Sequence, residues 1–226
     1  MKFKILSIFP NILDSYLQDS IIKRAQDKKL IKVEKLDLRD WTYDRHKTVD
    51  DTPYGGGAGM LMKIEPLYLA LKELKQKSRT IKNKRKVILL SASGTTWNQK
   101  MARQYAKLEE LVFVCGRYEG VDARIKKFID KEISIGDYVL TGGELPALII
   151  IDSVTRLLPG ALGNAASITE ESHSTENILE YPQYTRPAIF TANQNQYKVP
   201  KVLLEGNHAK IKAWREQQQK TKRKRP

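Results

Sequence analysis

The chain has 226 residues, of which 41% are hydrophobic, so it is long enough to bury a sizeable core in one large domain, or in one domain and a smaller one. Its 40 Lys and Arg against 26 Asp and Glu give a net charge of +14, which favours a polyanionic partner, most simply nucleic acid. The single cysteine, Cys115, excludes an internal disulfide, the N-terminal residues lack a signal-peptide core, and the longest apolar stretch, 145–151, is too short to cross a bilayer, so we expect a cytoplasmic protein.

Strand-like and helix-like segments alternate along the first two-thirds of the chain. In chain order the patterns predict strand 3–8, helix 11–29, strand 31–38, helix 66–77, strand 87–90, helix 98–108, strand 111–115, helix 122–129, strand 133–135 and helix 145–158. This alternation is typical of an α/β fold with a mainly parallel sheet, in which ligands bind beyond the carboxyl ends of the strands.

The composition changes after Pro159. Residues 161–177 are small and polar with little periodicity, which predicts a flexible linker. Residues 178–226 contain four prolines, a helix from about Asn207 and a strongly basic end. We therefore expect an α/β domain over 1–160, a linker over 161–177 and a small C-terminal domain over 178–226.

A glycine-rich segment, 49–60, follows the second predicted strand and carries four glycines within five residues. Such a segment lets the backbone approach a ligand closely, and Asp50 and Asp51 beside it are suited to a base edge or a cation, although a mobile surface loop is the alternative. Its spacing matches neither a Walker loop nor a dinucleotide fingerprint, which argues against an ATP or NAD enzyme.

Three predicted strands run into further glycine-bearing loops, 91–94, 116–120 and 136–143, which places a candidate pocket on one edge of the sheet. In the second loop Arg117 and Arg124 are candidates for holding phosphates and Glu119 for binding a ribose, with a plain surface charge as the alternative for Arg124. The third loop offers apolar side chains and exposed backbone groups that suit an adenine ring, or it is an ordinary connection to the next helix. Cys115 has no visible base partner and is interpreted as a small core residue.

The charged residues of the predicted linker and two basic stretches are further candidates for function. Glu170, Glu171 and His173 lie in the predicted linker, with Arg156 upstream, and a loop carboxylate of this kind can take a proton from a substrate, although a solvated acidic linker is the simpler interpretation from the residues alone. The basic stretches 72–86 and 210–225 indicate phosphate-contacting surface or a disordered tail. The three histidines are scattered and show no metal-ligand spacing.

Together these motifs resemble the TrmD family of bacterial tRNA (guanine-37-N1) methyltransferases, of the SPOUT class. The matching strings keep the family's order nearly from end to end, at 44–57, 115–120, 134–146, 152–156, 184–187 and 206–208. The resemblance implies an α/β domain with a deep trefoil knot, a small helical tRNA-binding C-terminal domain, and an obligate homodimer with sites at the interface. The knot comes wholly from the resemblance, because the pattern alone indicates an unknotted sheet.

The resemblance also implies the ligands and the residues that hold them. S-adenosylmethionine would be bound in a pocket lined by Leu90, Ser91, Gly116, Tyr118, Glu119, Ile135, Gly136, Tyr138, Leu140, Gly142, Gly143 and Pro146. The guanine and the tRNA would be bound near His46, Asp50, Tyr54, Gly55, Gly56, Gly57 and Arg117. Family activity is helped by Mg2+, for which the sequence shows no site.

The resemblance implies catalytic roles for Glu171 and Arg156. Guanine N1 carries a proton at neutral pH, so the reaction needs a base, a positioned guanine and in-line geometry. The family's base is an Asp at the position of Glu171, a departure that changes its reach by one methylene, and Glu170 is the neighbouring alternative. Further departures are Ala92, where some relatives have proline, and a C-terminal domain that looks shortened.

Two other functions remain open at this point. One is a non-catalytic RNA-binding protein that keeps the fold, supported by Glu171 in place of Asp and opposed by the intact pocket glycines and Arg156. The other is a SPOUT methyltransferase acting on a ribose or a different base, which the glycine-rich segment 49–60 opposes.

Overall fold

The computed structural model describes residues 1–78, 84–163, 171–173 and 178–221. The chain divides into two compact units, Met1–Gly163 and Asn164–Pro226. The predicted linker, 161–177, spans this division, and its residues 164–170 and 174–177 lie outside the described residues.

A five-stranded parallel sheet forms the centre of the larger unit, with the strand order β2-β1-β6-β5-β7. Its helices and strands are β1 Lys2–Ser7, α1 Asp14–Leu17, α2 Ser20–Asp27, β2 Lys32–Asp37, β3 Asp50–Asp51, β4 Leu61–Met62, α3 Ile64–Lys77, β5 Arg85–Thr96, α4 Gln99–Tyr105, β6 Glu110–Cys115, β7 Lys131–Ser134 and α5 Glu144–Thr155. The predicted α/β fold with a parallel sheet is therefore confirmed.

The core lies on both faces of the sheet. Along β6, Leu111 and Phe113 belong to one apolar cluster, whereas Val112 and Val114 belong to the other. Successive side chains of a strand point to opposite faces, so a strand covered on both sides needs an uninterrupted apolar run. This explains why the run 111–115 shows no alternation of apolar and polar residues.

Two of the predicted helices differ from the structure. The segment 11–29 is divided into a 3₁₀ turn, Pro10–Leu13, followed by α1 and α2, because the extended Asp19 starts a new helix and its carboxylate accepts a hydrogen bond from the Ser20 N–H at 2.6 Å. The segment 122–129 is a 3₁₀ turn, Ala123–Phe128.

Strand β5 is longer than predicted because it continues past Leu90 and resumes its pairing with β7. It pairs with β7 up to Leu90 and again from Thr95, with a register shift between them. Gly94 lies within this shift, where an added Cβ would come within 2.5 Å of the backbone nitrogen of Ile133. Only glycine allows the two backbones to approach this closely.

The smaller unit combines strands with one α-helix among its described residues. Its elements are β8 Ile178–Leu179, β9 Ile189–Ala192, β10 Asn195–Lys198, α6 His208–Gln218 and β11 Lys220–Thr221. Strands β9 and β10 form a hairpin whose two turn residues, Asn193 and Gln194, both have positive φ, as a type I′ turn requires. The expected helical C-terminal domain is thus mixed in secondary structure. Within the described ranges of both units, no helix has the length and apolarity needed to cross a membrane.

Candidate active site

Residues 91–93, at the irregular middle of β5, and the loops that follow β6 and β7 border one cavity of about 470 Å3. These three strands are neighbours in the sheet and parallel, so their carboxyl ends meet at one edge. The prediction that the three glycine-bearing segments meet at one edge is confirmed, but the segment 91–94 is an irregularity within β5 and not a loop after it. The cavity is lined by every residue for which the resemblance implies a place in the cofactor pocket, namely Leu90, Ser91, Gly116, Tyr118, Glu119, Ile135, Gly136, Tyr138, Leu140, Gly142, Gly143 and Pro146.

Glycines bring the loops after β6 and β7 into close contact. The Gly143 N–H donates a hydrogen bond to the Gly116 carbonyl oxygen at 3.0 Å. A Cβ added to Gly143 would lie 2.7 Å from the Cα of Cys115, so any larger residue would separate the two loops. One wall of the cavity is therefore formed by backbone atoms.

A buried carboxylate joins these loops to β1. Glu144, only 1% exposed, begins α5 and accepts a 2.5 Å hydrogen bond from the hydroxyl of Ser7. The Nε and Nη2 atoms of Arg117 both lie 3.0 Å from its Oε2. The Arg117 guanidinium also lies 5.1 Å above the Phe9 ring and donates from Nη1 to the carbonyl oxygen of Thr141 at 3.3 Å. Arg117 is thus held in one orientation at the cavity wall.

We expect Glu144→Gln to lower the free energy of unfolding by about 3 kcal/mol, because it leaves the partly buried Arg117 without its carboxylate. It should also weaken ligand binding in the cavity, since Arg117 crosses Gly142 and holds that loop. Urea unfolding measures the first effect. Glu109→Gln is the control, because Glu109 is an exposed carboxylate paired with Lys84 at 2.7 Å and should contribute little. Equal, small changes in both variants would contradict the prediction.

The glycine-rich segment 49–60 contains β3 and the turn of the hairpin between β3 and β4. Its base is hydrogen-bonded to the loop after β6: the Glu119 N–H donates to the Met60 carbonyl oxygen at 3.0 Å, and the Met62 N–H donates to that of Gly120 at 3.0 Å. Gly55, Gly56 and Gly57 at the tip have φ of +86°, +79° and +130°. The hairpin base thus adjoins the cavity, whereas Gly55, Gly56 and Gly57 are exposed.

The predicted substrate residues fall into two groups. Arg117 lines the cavity, and Asp50 interacts with Tyr118, which also lines it. Burial raises the pKa of the Tyr118 phenol, and the Asp50 carboxylate raises it further, so this phenol stays protonated at neutral pH and can donate a hydrogen bond. His46 and Tyr54 are exposed and do not line the cavity.

Cys115 is fully buried at the end of β6. Burial raises the pKa of its thiol well above the ordinary value, which disfavours the reactive thiolate. The interpretation of Cys115 as a small core residue is confirmed.

Arg156 lies at the opposite end of α5 from the cavity. Pro146, in the first turn of α5, lines the cavity, whereas Arg156 follows the last turn and donates its backbone N–H to the Asp152 carbonyl oxygen at 3.1 Å. Ten residues of helix separate the two by about 15 Å. Arg156 is not among the residues that line the cavity of its own chain.

One face of α5 is apolar and exposed. Leu145 and Ile149 are 57% and 46% exposed, and at about 100° per residue Arg156 lies within about 40° of the same face. Two more exposed apolar side chains, Ile12 and Tyr16, lie on the segment 10–17 that packs beside α5. Apolar side chains clustered in this way mark an interaction surface.

The family model for tRNA (guanine-1)-methyltransferase, TrmD, matches residues 1–226. The chain belongs to the TrmD family. It is 50% identical to the tRNA (guanine-N(1)-)-methyltransferase of Dictyoglomus turgidum, covering 100% of this chain and 89% of that relative. The enzymes of the same name from Ruminiclostridium cellulolyticum and Clostridium perfringens are each 49% identical, covering 100% of this chain and 95% and 92% of theirs.

In this TrmD-family chain the candidate base lies in the smaller unit. Glu171 precedes Ser172, whose hydroxyl accepts a hydrogen bond from the Glu180 N–H at 3.0 Å, and His173, whose N–H donates to the Ile178 carbonyl oxygen at 2.8 Å. Glu170, the alternative base, lies outside the described residues. Among the residues that are described, no three His, Cys, Asp or Glu side chains come together in a way that would hold a metal ion.

Sequence reasoning did not assign functional roles to Glu144, Ser7 and Phe9, which hold Arg117 at the cavity. Ser7 and Glu144 are 137 residues apart in the chain, so no local pattern joins them. A glutamate directly after two glycines at the start of a helix is the one signal that was available for Glu144.

Proposed function

We propose that this protein transfers the methyl group of S-adenosylmethionine to N1 of guanine 37 in tRNA, next to the anticodon. The observation that carries the proposal is the cavity at the sheet edge of a TrmD-family chain, lined by all three glycine-bearing segments. The relatives named above carry tRNA (guanine-N(1)-)-methyltransferase as their activity. We assign the target to position 37 because the motifs resemble those of the tRNA (guanine-37-N1) methyltransferases.

The cavity suits S-adenosylmethionine in size and lining. About 470 Å3 is within the range for a small-molecule site, and the side chains of Leu90, Leu140 and Pro146 offer apolar contacts for an adenine ring. Glu119, fixed through its backbone to the glycine-rich hairpin, supplies a carboxylate for ribose hydroxyls. The cofactor supplies a methyl group on a sulfonium, which is already activated toward a nucleophile.

The chain's own residues have to supply the base and the orientation of the guanine. In our proposal Glu171 takes the N1 proton and Arg156 stabilises the charge that develops as the proton leaves. Arg117 and Asp50 hold the guanine and its phosphate beside Tyr118. The exposed His46, Tyr54 and Gly55 to Gly57 contact the tRNA.

A homodimer would bring Arg156 to a cavity. Arg156 lies about 15 Å along α5 from the cavity of its own chain. The apolar face that it shares with Leu145 and Ile149 is suited to a second copy related by a two-fold axis, in which each contact occurs twice. When two such helices pack antiparallel, the end of one α5 that carries Arg156 approaches the cavity end of the other. The complete site would then contain residues of both chains.

Further properties follow from family membership. We propose a SPOUT-type fold with a deep trefoil knot, a tRNA-binding role for residues 178–226, a linker at 161–177, and a cytoplasmic location. Mg2+ would assist activity.

The function is tested by methyl transfer from labelled S-adenosylmethionine to an unmodified tRNA transcript with guanines at positions 36 and 37. A second transcript carries adenine at position 37. We expect label at N1 of guanine 37 in the first transcript and none in the second. Cofactor binding without transfer to either would instead indicate a non-catalytic RNA-binding protein, and label on a ribose or another base would indicate a different SPOUT activity.

A further inference from the structure

A second cavity opens at the amino-terminal edge of the sheet, away from the cofactor cavity. It has a volume of about 910 Å3 and lies between the second half of α3, the start of β5 and the end of the 3₁₀ turn Ala123–Phe128. We call it the basic groove, and it is defined by Tyr68, Lys72, Lys75, Arg85, Lys127 and Phe128. No part of the proposed methyl transfer uses it.

The lining of the basic groove is strongly positive. Lys72, Lys75 and Lys127 are exposed at its border. Lys86 also lines it and lies 3.4 Å from Asp130, the only carboxylate among the described lining residues. With Arg85 the lining has five cations against one anion, which favours a ligand that carries several negative charges.

Beneath these lysines, a buried charge cluster is left with an unused donor. Arg85 is 9% exposed, and its Nε lies 2.9 Å from Oε1 of the buried Glu110. Lys4 lies 2.8 Å from the other oxygen of Glu110, so two buried cations share one carboxylate. The Nε and Nη2 atoms of Arg85 are both buried and make no hydrogen bond within the described part of the chain, so Nε meets Glu110 only as an ion pair and Nη2 is unused. A buried guanidinium donor without a partner is costly, and a phosphate oxygen in the groove would satisfy it.

Two aromatic rings stand at the same groove. Tyr68 and Phe128 have ring centroids 4.8 Å apart at 58°, and both remain substantially exposed. Positive grooves lined with exposed aromatic rings are the arrangement that binds single-stranded nucleic acid, through phosphate contacts and base stacking.

One short segment contributes residues to both the groove and the cofactor cavity. In the 3₁₀ turn Ala123–Phe128, Ala123 and Lys126 line the cofactor cavity, whereas Lys127 and Phe128 line the groove. Along β5, Val87 lines the groove and Leu89 lines the cofactor cavity, two residues and about 7 Å apart. A polymer with its reacting base at the cavity can therefore place neighbouring phosphates in the groove, which a free mononucleotide cannot do.

We infer that the basic groove binds an unpaired stretch of the RNA substrate, with its phosphates on Lys72, Lys75 and Arg85 and a base against Tyr68 and Phe128. The identity of this RNA as tRNA rests on the proposed function. The groove contributes to affinity for RNA and leaves the chemical step unchanged.

The test compares Lys72→Gln/Lys75→Gln with the unaltered protein in equilibrium binding to unmodified tRNA at several salt concentrations. We expect about a tenfold loss of affinity, and a slope of log K against log salt that falls by about 0.7–0.9 for each lysine removed. Tyr68→Leu should lose about tenfold in affinity with an unchanged slope, because it removes stacking and no charge. The Kd for S-adenosylmethionine and kcat at saturating tRNA should stay within about twofold of the unaltered values.

The matched control is Lys100→Gln/Lys107→Gln, which removes the same charge from exposed positions that line neither cavity. If Lys72→Gln/Lys75→Gln binds tRNA as tightly as this control and with the same salt slope, the inference is wrong. It is also wrong if the variant loses binding only of inorganic pyrophosphate or free nucleotide. Because the readout is binding, absence of methyl transfer by the unaltered protein would reject the proposed function and leave this test intact.

Discussion

We expect Glu171→Gln to lower kcat for methyl transfer by about 10²–10⁴-fold while leaving the affinities for S-adenosylmethionine and tRNA nearly unchanged. Glutamine keeps the size of the side chain and its hydrogen bonding but cannot accept the N1 proton of guanine. Rapid-quench single-turnover measurements report the chemical step directly and separate it from product release.

Two further variants sharpen this expectation. Glu170→Gln is the matched control, because it removes the neighbouring carboxylate and should keep most of the activity. Glu171→Asp should recover much of the lost rate, since a carboxylate returns at a slightly shorter reach. Near-normal turnover in Glu171→Gln would show that Glu171 is not the base. A severe loss in Glu170→Gln instead would identify Glu170 as the base.

The second large effect concerns Arg156. Arg156→Ala should lower kcat by about 10²–10³-fold, the usual loss when one preorganised group that stabilises developing charge is removed. Its unfolding free energy should change little, because Arg156 follows the last turn of α5 and is only partly buried.

Mixed dimers test whether Arg156 serves the cavity of the other chain. Glu119→Ala impairs the cavity, and a purified heterodimer of Arg156→Ala with Glu119→Ala would contain one site with both residues intact. We expect such a heterodimer to have about half the activity of the unaltered dimer, whereas each parent homodimer is severely impaired. Activity no higher than that of the parents would place Arg156 and the cavity that it serves in the same chain.

Several features of the site were predictable because their cause is local. Glycines at 116, 142 and 143 lie in loops directly after strands, and in a parallel sheet the carboxyl ends of neighbouring strands share an edge. The location of the cavity follows from these two facts. The buried, unreactive Cys115 follows as well, because it ends an apolar run long enough to be covered on both faces.

Other features depend on contacts that no sequence window contains. The break before Ser20 depends on the Asp19 cap and on how the segment 10–17 packs beside α5, so helical periodicity alone merged two helices and a turn into one. The hairpin in the smaller unit was missed because its turn uses Asn193 and Gln194, not the more usual Asn-Gly.

The sequence by itself determined the α/β class, the parallel sheet, the three glycine-bearing segments of the cavity and membership of the TrmD family. Each depends on periodicity, on glycine placement or on the order of motifs, which can be recognised without knowing which distant residues are in contact. Only the tertiary structure decided the partners of its buried charges: Glu144 with Arg117 and Ser7, and Glu110 with Lys4 and Arg85. A buried charge needs a specific partner within a few ångströms, and the strand order, not the distance along the chain, determines which side chains can meet that need.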